Sequence, residues 1–215
     1  MFRLKTIAAA CCCLALLSGC KIIATADKHT SASNNSAQAP DKGFDAKVAE
    51  LWPSKVLPYA EGKAGKLQDV QAAAAANADD AGKKYGYRET GSSNPYTVIA
   101  QIDGKIVAAN TESRAATIDV DVDGDGKADA QIQIGPVIRG TAIRDALDFV
   151  KFNDFTNQID FAQFGKAFNT YINDNILKPM PRDALVGKTV SATGAYPLPV
   201  TGQLPLVTPL KIEVK

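Results

Sequence analysis

Apolar residues along this chain repeat in two rhythms, and the switch between them separates helical from extended regions. Between Asp45 and Tyr59, Val48, Leu51, Trp52, Val56, Leu57 and Tyr59 recur near the helical period, broken by Pro53. That predicts two short helices or one helix kinked at the proline, with Trp52 as a core anchor. Leu67 to Tyr85 predicts another helix. Asp69 is placed to cap it, Ala72 to Ala76 have high helix propensity, and Gly86 is placed to end it. After a loop from Glu89 to Asn94 the spacing falls to two. Tyr96 to Ile102 reads as a strand, Asp103 and Gly104 as a tight turn, and Lys105 to Ala109 as a continuation or partner. Arg114 to Val122 places Ile118, Val120 and Val122 opposite Asp119 and Asp121, and Ala130 to Ile134 separates Ile132 and Ile134 from Gln131 and Gln133. The helical period returns from Ile159, through Phe161, Phe164, Phe168, Tyr171, Ile172 and Ile176, and stops before Pro179. Two last strands, Lys188 to Tyr196 and Leu210 to Val214, flank an excursion through Pro197, Pro199, Pro205 and Pro209, whose prolines favour a loop or an edge.

The resulting order is helices, three strands, a helix and two strands. It fits an α+β domain: a five-stranded OB-like barrel with a capping helix between strands 3 and 4, plus N-terminal helices. Residues 44–88 would then pack on a barrel of residues 94–215. Another small α+β domain is the alternative.

The first 43 residues follow neither rhythm. Arg3 and Lys5 precede an apolar run from Thr6 to Leu17, too short for a permanent membrane span and placed where a signal peptide belongs. Leu17, Ser18, Gly19 and Cys20 resemble a bacterial lipobox, which implies a leader of residues 1–19 and acylation, with palmitate among the lipids, at Cys20. Residues 20–43 follow as a lipidated, polar tether. Cys11, Cys12 and Cys13 leave with the leader, so no disulfide framework and no thiol for zinc or nucleophilic chemistry remains. Lys21 after the cysteine resembles the pattern sent to the inner face of the outer membrane of a Gram-negative cell.

Charge narrows the function classes. The chain has 24 basic and 23 acidic residues, and losing Arg3 and Lys5 turns a net +1 into −1. A protein that grips phosphate backbones carries a clear positive field, so nucleic acid is a poor partner. The single histidine, His29, falls in the tether. No catalytic triad can be assembled from the remaining residues, and no enzyme is expected.

Two segments carry candidate chemistry. Asp121, Asp123, Asp125 and Asp129 occupy positions 1, 3, 5 and 9 of a loop with Gly126 at position 6 and Lys127 offering its carbonyl at position 7. Calcium takes six to eight oxygens, and this spacing resembles a calcium loop whose position 12 is Ile132 instead of a bidentate glutamate. A solvated hairpin tip is the alternative, although five aspartates within eleven residues repel one another without a cation. Next, Arg139 and Arg144 with Thr141 could clamp a carboxylate or phosphate at a helix start, or Arg144 could pair with Asp145 and lock the corner. Asn153, Asn157 and Gln158 could hydrogen-bond a sugar or satisfy loop backbone.

The string GPVIRGTAIRDALDFVKFNDFTNQIDFA from Gly135 to Ala162, with the lipobox, the Trp52 to Pro58 segment, Ala81 to Gly86 and the start at Asn94, resembles the DUF2291 family of predicted periplasmic lipoproteins. The resemblance implies an OB-type barrel with added helices and a place in the envelope, and implies no activity. A lipid-anchored binding or accessory protein for a small solute, a glycan or a transport partner is the expectation. A structural lipoprotein or an oligonucleotide-binding barrel is the alternative.

Overall fold

The helix expected around Pro53 is continuous, with a wider turn inside it. In the computed structural model, which describes residues 43–198 and 203–215, helix α1 (Phe44–Leu51) passes through a π-turn at Trp52–Val56 into α2 (Leu57–Lys63). The leader, Cys20, His29, the tether to residue 42 and Pro199 lie outside the described residues. Proline lacks the N–H that would continue the ladder, and the π-turn accommodates Pro53 without breaking the rod. Trp52 is buried as expected, its ring 4.6 Å from Tyr171 and 6.2 Å from Phe168.

Leu67 to Tyr85 is two helices, not one. Helix α3 (Leu67–Ala76) stops at Asn77, whose extended backbone opens α4 (Ala78–Tyr85). The Asn77 side chain accepts the amides of Asp79 and Asp80, so a residue inside an alanine-rich run becomes a cap. Asp69 is not the cap of α3. Lys66 holds that position without a side-chain bond, and Asp69 sits in the first turn, where its charge suits the positive helix end. Short strands β1 (Gly65–Lys66) and β2 (Gly86–Tyr87) bracket the two helices, and both pair with the same strand, β3 (Thr97–Asn110).

Strand β3 is the spine of the barrel. Its first part, Thr97 to Lys105, pairs with β6 (Thr189–Pro197), and its second part pairs with β4 (Thr117–Asp121). Asp103 and Gly104, expected as a turn, lie inside this strand. Gly104 is needed there for close approach: a Cβ would stand 2.2 Å from the Asp121 carbonyl oxygen. Strand β4 pairs with β5 (Ala130–Gln133), β5 with β7 (Leu206–Val214), β7 with β6, and β6 returns to β3. Only β5 and β7 among these neighbours run parallel, so the expected OB-like barrel is present, closed and mixed. Strand β7 starts earlier than Leu210. Pro209 lies within it, opposite Gly194 where the register slips and the ladder is already interrupted.

Two cores share the barrel wall. Inside are Val98, Ala100, Ile102, Ile118, Val120 and Ile132, joined by Leu67 and Val70 of α3. Ile99, Ala195 and Leu210 face the other way and meet Val48, Trp52, Leu147, Phe164 and Phe168. The phenylalanine stripe belongs to α6 (Gln158–Ile172), which follows the short helix α5 (Ala142–Asp145) and continues as a π-turn at Asn173–Leu177. Both helices fall between the third and fourth barrel strands, as expected. Among the described residues no helix is long and apolar enough to cross a membrane.

Candidate functional site

The acidic segment is the turn between β4 and β5. Asp121, buried at the end of β4, accepts the amides of Gly124 (2.7 Å) and Gly126 (2.9 Å) through its two oxygens. Gly124 and Gly126 both have φ of 84°, the left-handed backbone that lets the chain circle this carboxylate. Asp129 accepts from Val122 at 2.7 Å and from Asp123 at 3.3 Å. Oxygens of Asp121, Asp123 and Asp129 lie within 4.8 Å of one another. Asp125 turns elsewhere: it accepts the Lys127 amide and pairs with its ammonium at 3.2 Å, which holds its carboxyl below the usual carboxylate range. Ile132, at position 12, is fully buried in the barrel, and its side chain offers no oxygen. The donor set therefore suits a hard cation in kind, but with one oxygen from each carboxylate it supplies three of the six to eight that calcium takes, and carbonyls or water must supply the rest. Gln71 of α3 donates to the Asp129 carbonyl at 3.3 Å and ties the N-terminal helices to this turn.

The second segment forms a tight corner. Arg144 donates to Asp145 from Nε (2.8 Å) and from a terminal nitrogen (2.6 Å), to Thr141 Oγ1 (3.0 Å) and to the Phe161 carbonyl (3.0 Å). Its guanidinium stands 3.7 Å from the centre of the Phe161 ring, and Thr141 donates to the second Asp145 oxygen at 2.6 Å. The fork of the guanidinium is thus used inside the protein, where it joins α5 to α6. Gly165 permits that approach, since a Cβ there would lie 2.8 Å from Thr141 Cγ2 and 3.0 Å from an Arg144 nitrogen. Arg139 is separate. Buried Gln133 clamps its backbone on both sides while its side chain is exposed. Asn157 caps α6 by accepting the Asp160 amide, and Asn153 and Gln158 are exposed.

Arg144 and Asp145 also wall a cleft of about 240 Å³ between the helical layer and the start of β3. Its other walls include Tyr87, Arg88, Glu89, Ser92, Asn94 and Thr97. Arg139, Thr141, Asn153, Asn157 and Gln158 do not line it. The guanidinium of Arg88 lies over the Tyr96 ring at 4.1 Å and 3.4 Å from Asp79. Burial, then the neighbouring carboxylates of Glu89, Asp148 and Asp154, push the Tyr87 phenol up. Sequence reading missed Tyr87 and Glu89, because a strand of two residues and the loop after it show no period. Gln133 did carry a signal, as a polar residue on a strand whose other face is apolar.

The outward side of β4 and β5, where barrels of this topology commonly bind ligands, carries Thr117, Asp119, Asp121, Gln131 and Gln133. Gln131 donates to Asp119 at 2.8 Å. None of these five residues is aromatic or basic.

A family model described as a predicted periplasmic lipoprotein (DUF2291) matches residues 10–213. Among curated proteins none matches. The chain is similar to the crystal structure of an OB-fold protein from Thermotoga maritima, with a TM-score of 0.60 and 21% identity over 80% of this chain and 98% of that one. At that identity the likeness speaks for the fold.

Proposed function

Because the chain belongs to the DUF2291 family of predicted periplasmic lipoproteins, we propose that it is a non-enzymatic binding protein, held by an acylated Cys20 at the inner face of the outer membrane. The cleft between α5, α6 and the start of β3 takes a small polar solute, a sugar-sized molecule, on behalf of an envelope or transport partner. The observation that carries this reading is the cleft itself: a concavity of about 240 Å³ that combines carboxylate, amide and hydroxyl groups with the flank of Tyr87. Thr141, Arg144 and Asp145 bond one another, which suits a rigid wall better than a proton shuttle.

The oligonucleotide reading lacks support on the barrel face. Single-strand binders use aromatic platforms and cations, whereas on this side of β4 and β5 Thr117, Asp121 and Gln133 are buried and only Asp119 and Gln131 are partly accessible. Calcium at the Asp121 to Asp129 turn, with the Lys127 carbonyl, is a structural companion of the binding role, because it would hold the turn that Gln71 ties to α3.

The test is calorimetry on the full protein in detergent, with hexoses and small charged solutes. At least one should bind, and Asn94→Ala should weaken it about tenfold or more, near 1.4 kcal/mol. Binding unaffected by changes at Asn94 and Glu89 would move the site elsewhere.

A further inference from the structure

The charges around the cleft specify more than its size does, on the premise that the cleft is the binding site. We propose that its solute bears an ammonium group and that the Glu89 carboxylate is the counter-ion. Both arginines in the wall are already engaged: Arg144 with Asp145, Thr141 and the Phe161 carbonyl, Arg88 with Asp79 and the Tyr96 ring. An anion entering the cleft would have to compete with Asp145 for Arg144 and with Asp79 for Arg88. Drawing Arg144 away would strand Asp145, Thr141 and a carbonyl together, each losing a hydrogen bond in a partly buried place.

Glu89 is the opposite case. It lines the cleft, is half-buried, and its carboxylate makes no hydrogen bond or ion pair among the described residues. Its backbone is held in place, because Ser92 donates its amide to the Glu89 carbonyl at 3.0 Å. Asp148 and Asp154 stand close enough for the Tyr87 phenol to sense their charge. Of the four charged residues that line the cleft, Arg88, Arg144 and Asp145 are held by partners, and the Glu89 carboxylate is left unspent among the described residues. A cation loses less by leaving water when such a partner awaits it, whereas an anion meets repulsion. Ser92 and Asn94 beside Glu89 add neutral hydrogen-bonding groups for the rest of the solute.

A matched series tests this: glucosamine, glucose and glucuronate share one ring and differ in charge. Putrescine and succinate serve as acyclic counterparts. With the full protein in detergent, calorimetry should show an amine binding about tenfold or more tightly than glucose, and no heat from either anion. Glu89→Gln should erase the preference for the amine without shifting the melting temperature. Glucose or an anion binding as tightly as the amines would overturn the ammonium assignment and leave the cleft as a binding site. Silence from all five compounds would overturn both.

Discussion

Tyr196 lies wholly inside the barrel, and its hydroxyl has no hydrogen-bond partner among the described residues. A buried, unpaired hydroxyl costs free energy, so Tyr196→Phe should raise stability by about 1 kcal/mol, read from denaturant unfolding. The same burial pushes the phenol pKa up, and Tyr59 is pushed up to about 12, by burial first and then by Asp148. A folded pKa above the unfolded value, about 10 for tyrosine, contributes stability that is intact below about pH 10 and lost as pH rises towards the folded pKa. The protein should therefore weaken from about pH 10 upward, and Tyr196→Phe should weaken less when unfolding is compared at about pH 8 and about pH 11. Gly104 shows where local reading stops. Aspartate followed by glycine ordinarily turns a chain, but the carbonyl that crowds Gly104 belongs to a different strand, which the local pattern around it does not contain. Gly104→Ala should cost on the order of 1–3 kcal/mol, and an unchanged melting temperature would contradict the close approach.

At the scale of elements, caps and turns explain what periodicity could not. The break at Asn77 follows from a side chain that bonds the next two amides but one, and Asn77→Ala should cost about 1 kcal/mol in thermal unfolding. The acidic turn separates two roles that the bare spacing of aspartates merges. Asp121 is buried and accepts two amides, so Asp121→Ala should destabilise the protein by about 1–3 kcal/mol even in chelator. Asp123 is exposed, and among the described residues its side chain accepts only the Asp125 amide. Asp123→Ala should therefore melt near the parent in chelator and abolish the stabilisation that calcium gives the parent. If millimolar calcium leaves the parent melting temperature unchanged, the turn is a hydrogen-bonded hairpin tip and the metal reading fails.

For the whole molecule, the proposed lipid anchor and the barrel surface make separate claims. Cys20→Ala should eliminate fatty-acid labelling and release the protein from the membrane fraction, because a protein without acyl chains has lost its membrane affinity. The barrel face predicts the absence of another property. Fluorescence anisotropy with a labelled single-stranded oligonucleotide should show no salt-dependent binding, since nucleic-acid affinity tracks the cations a surface presents. Strong binding that falls steeply with salt would return the oligonucleotide reading.

What the sequence determined by itself was short-range. Period two against period three to four, a proline inside a helix, a phenylalanine stripe and small residues before a cysteine all act within a few residues. They were enough for the order of helices and barrel strands, the capping helix and the envelope address, but not for the run of β3 through Gly104 or the start of β7 at Leu206. Tertiary structure decided which groups meet and which remain unspent. Gln71 reaches Asp129 across 58 residues, and Gln133 reaches Thr208 across 75. Whether Arg144 clamps a ligand or a neighbour depended on how closely α6 approaches at Gly165. Likewise, the half-burial of Glu89 in a cleft depends on barrel closure and on the helices laid against it. The physical reason is common to all these cases: a side chain's charge is local, but its desolvation and its partners are set by surfaces that only the folded chain brings together.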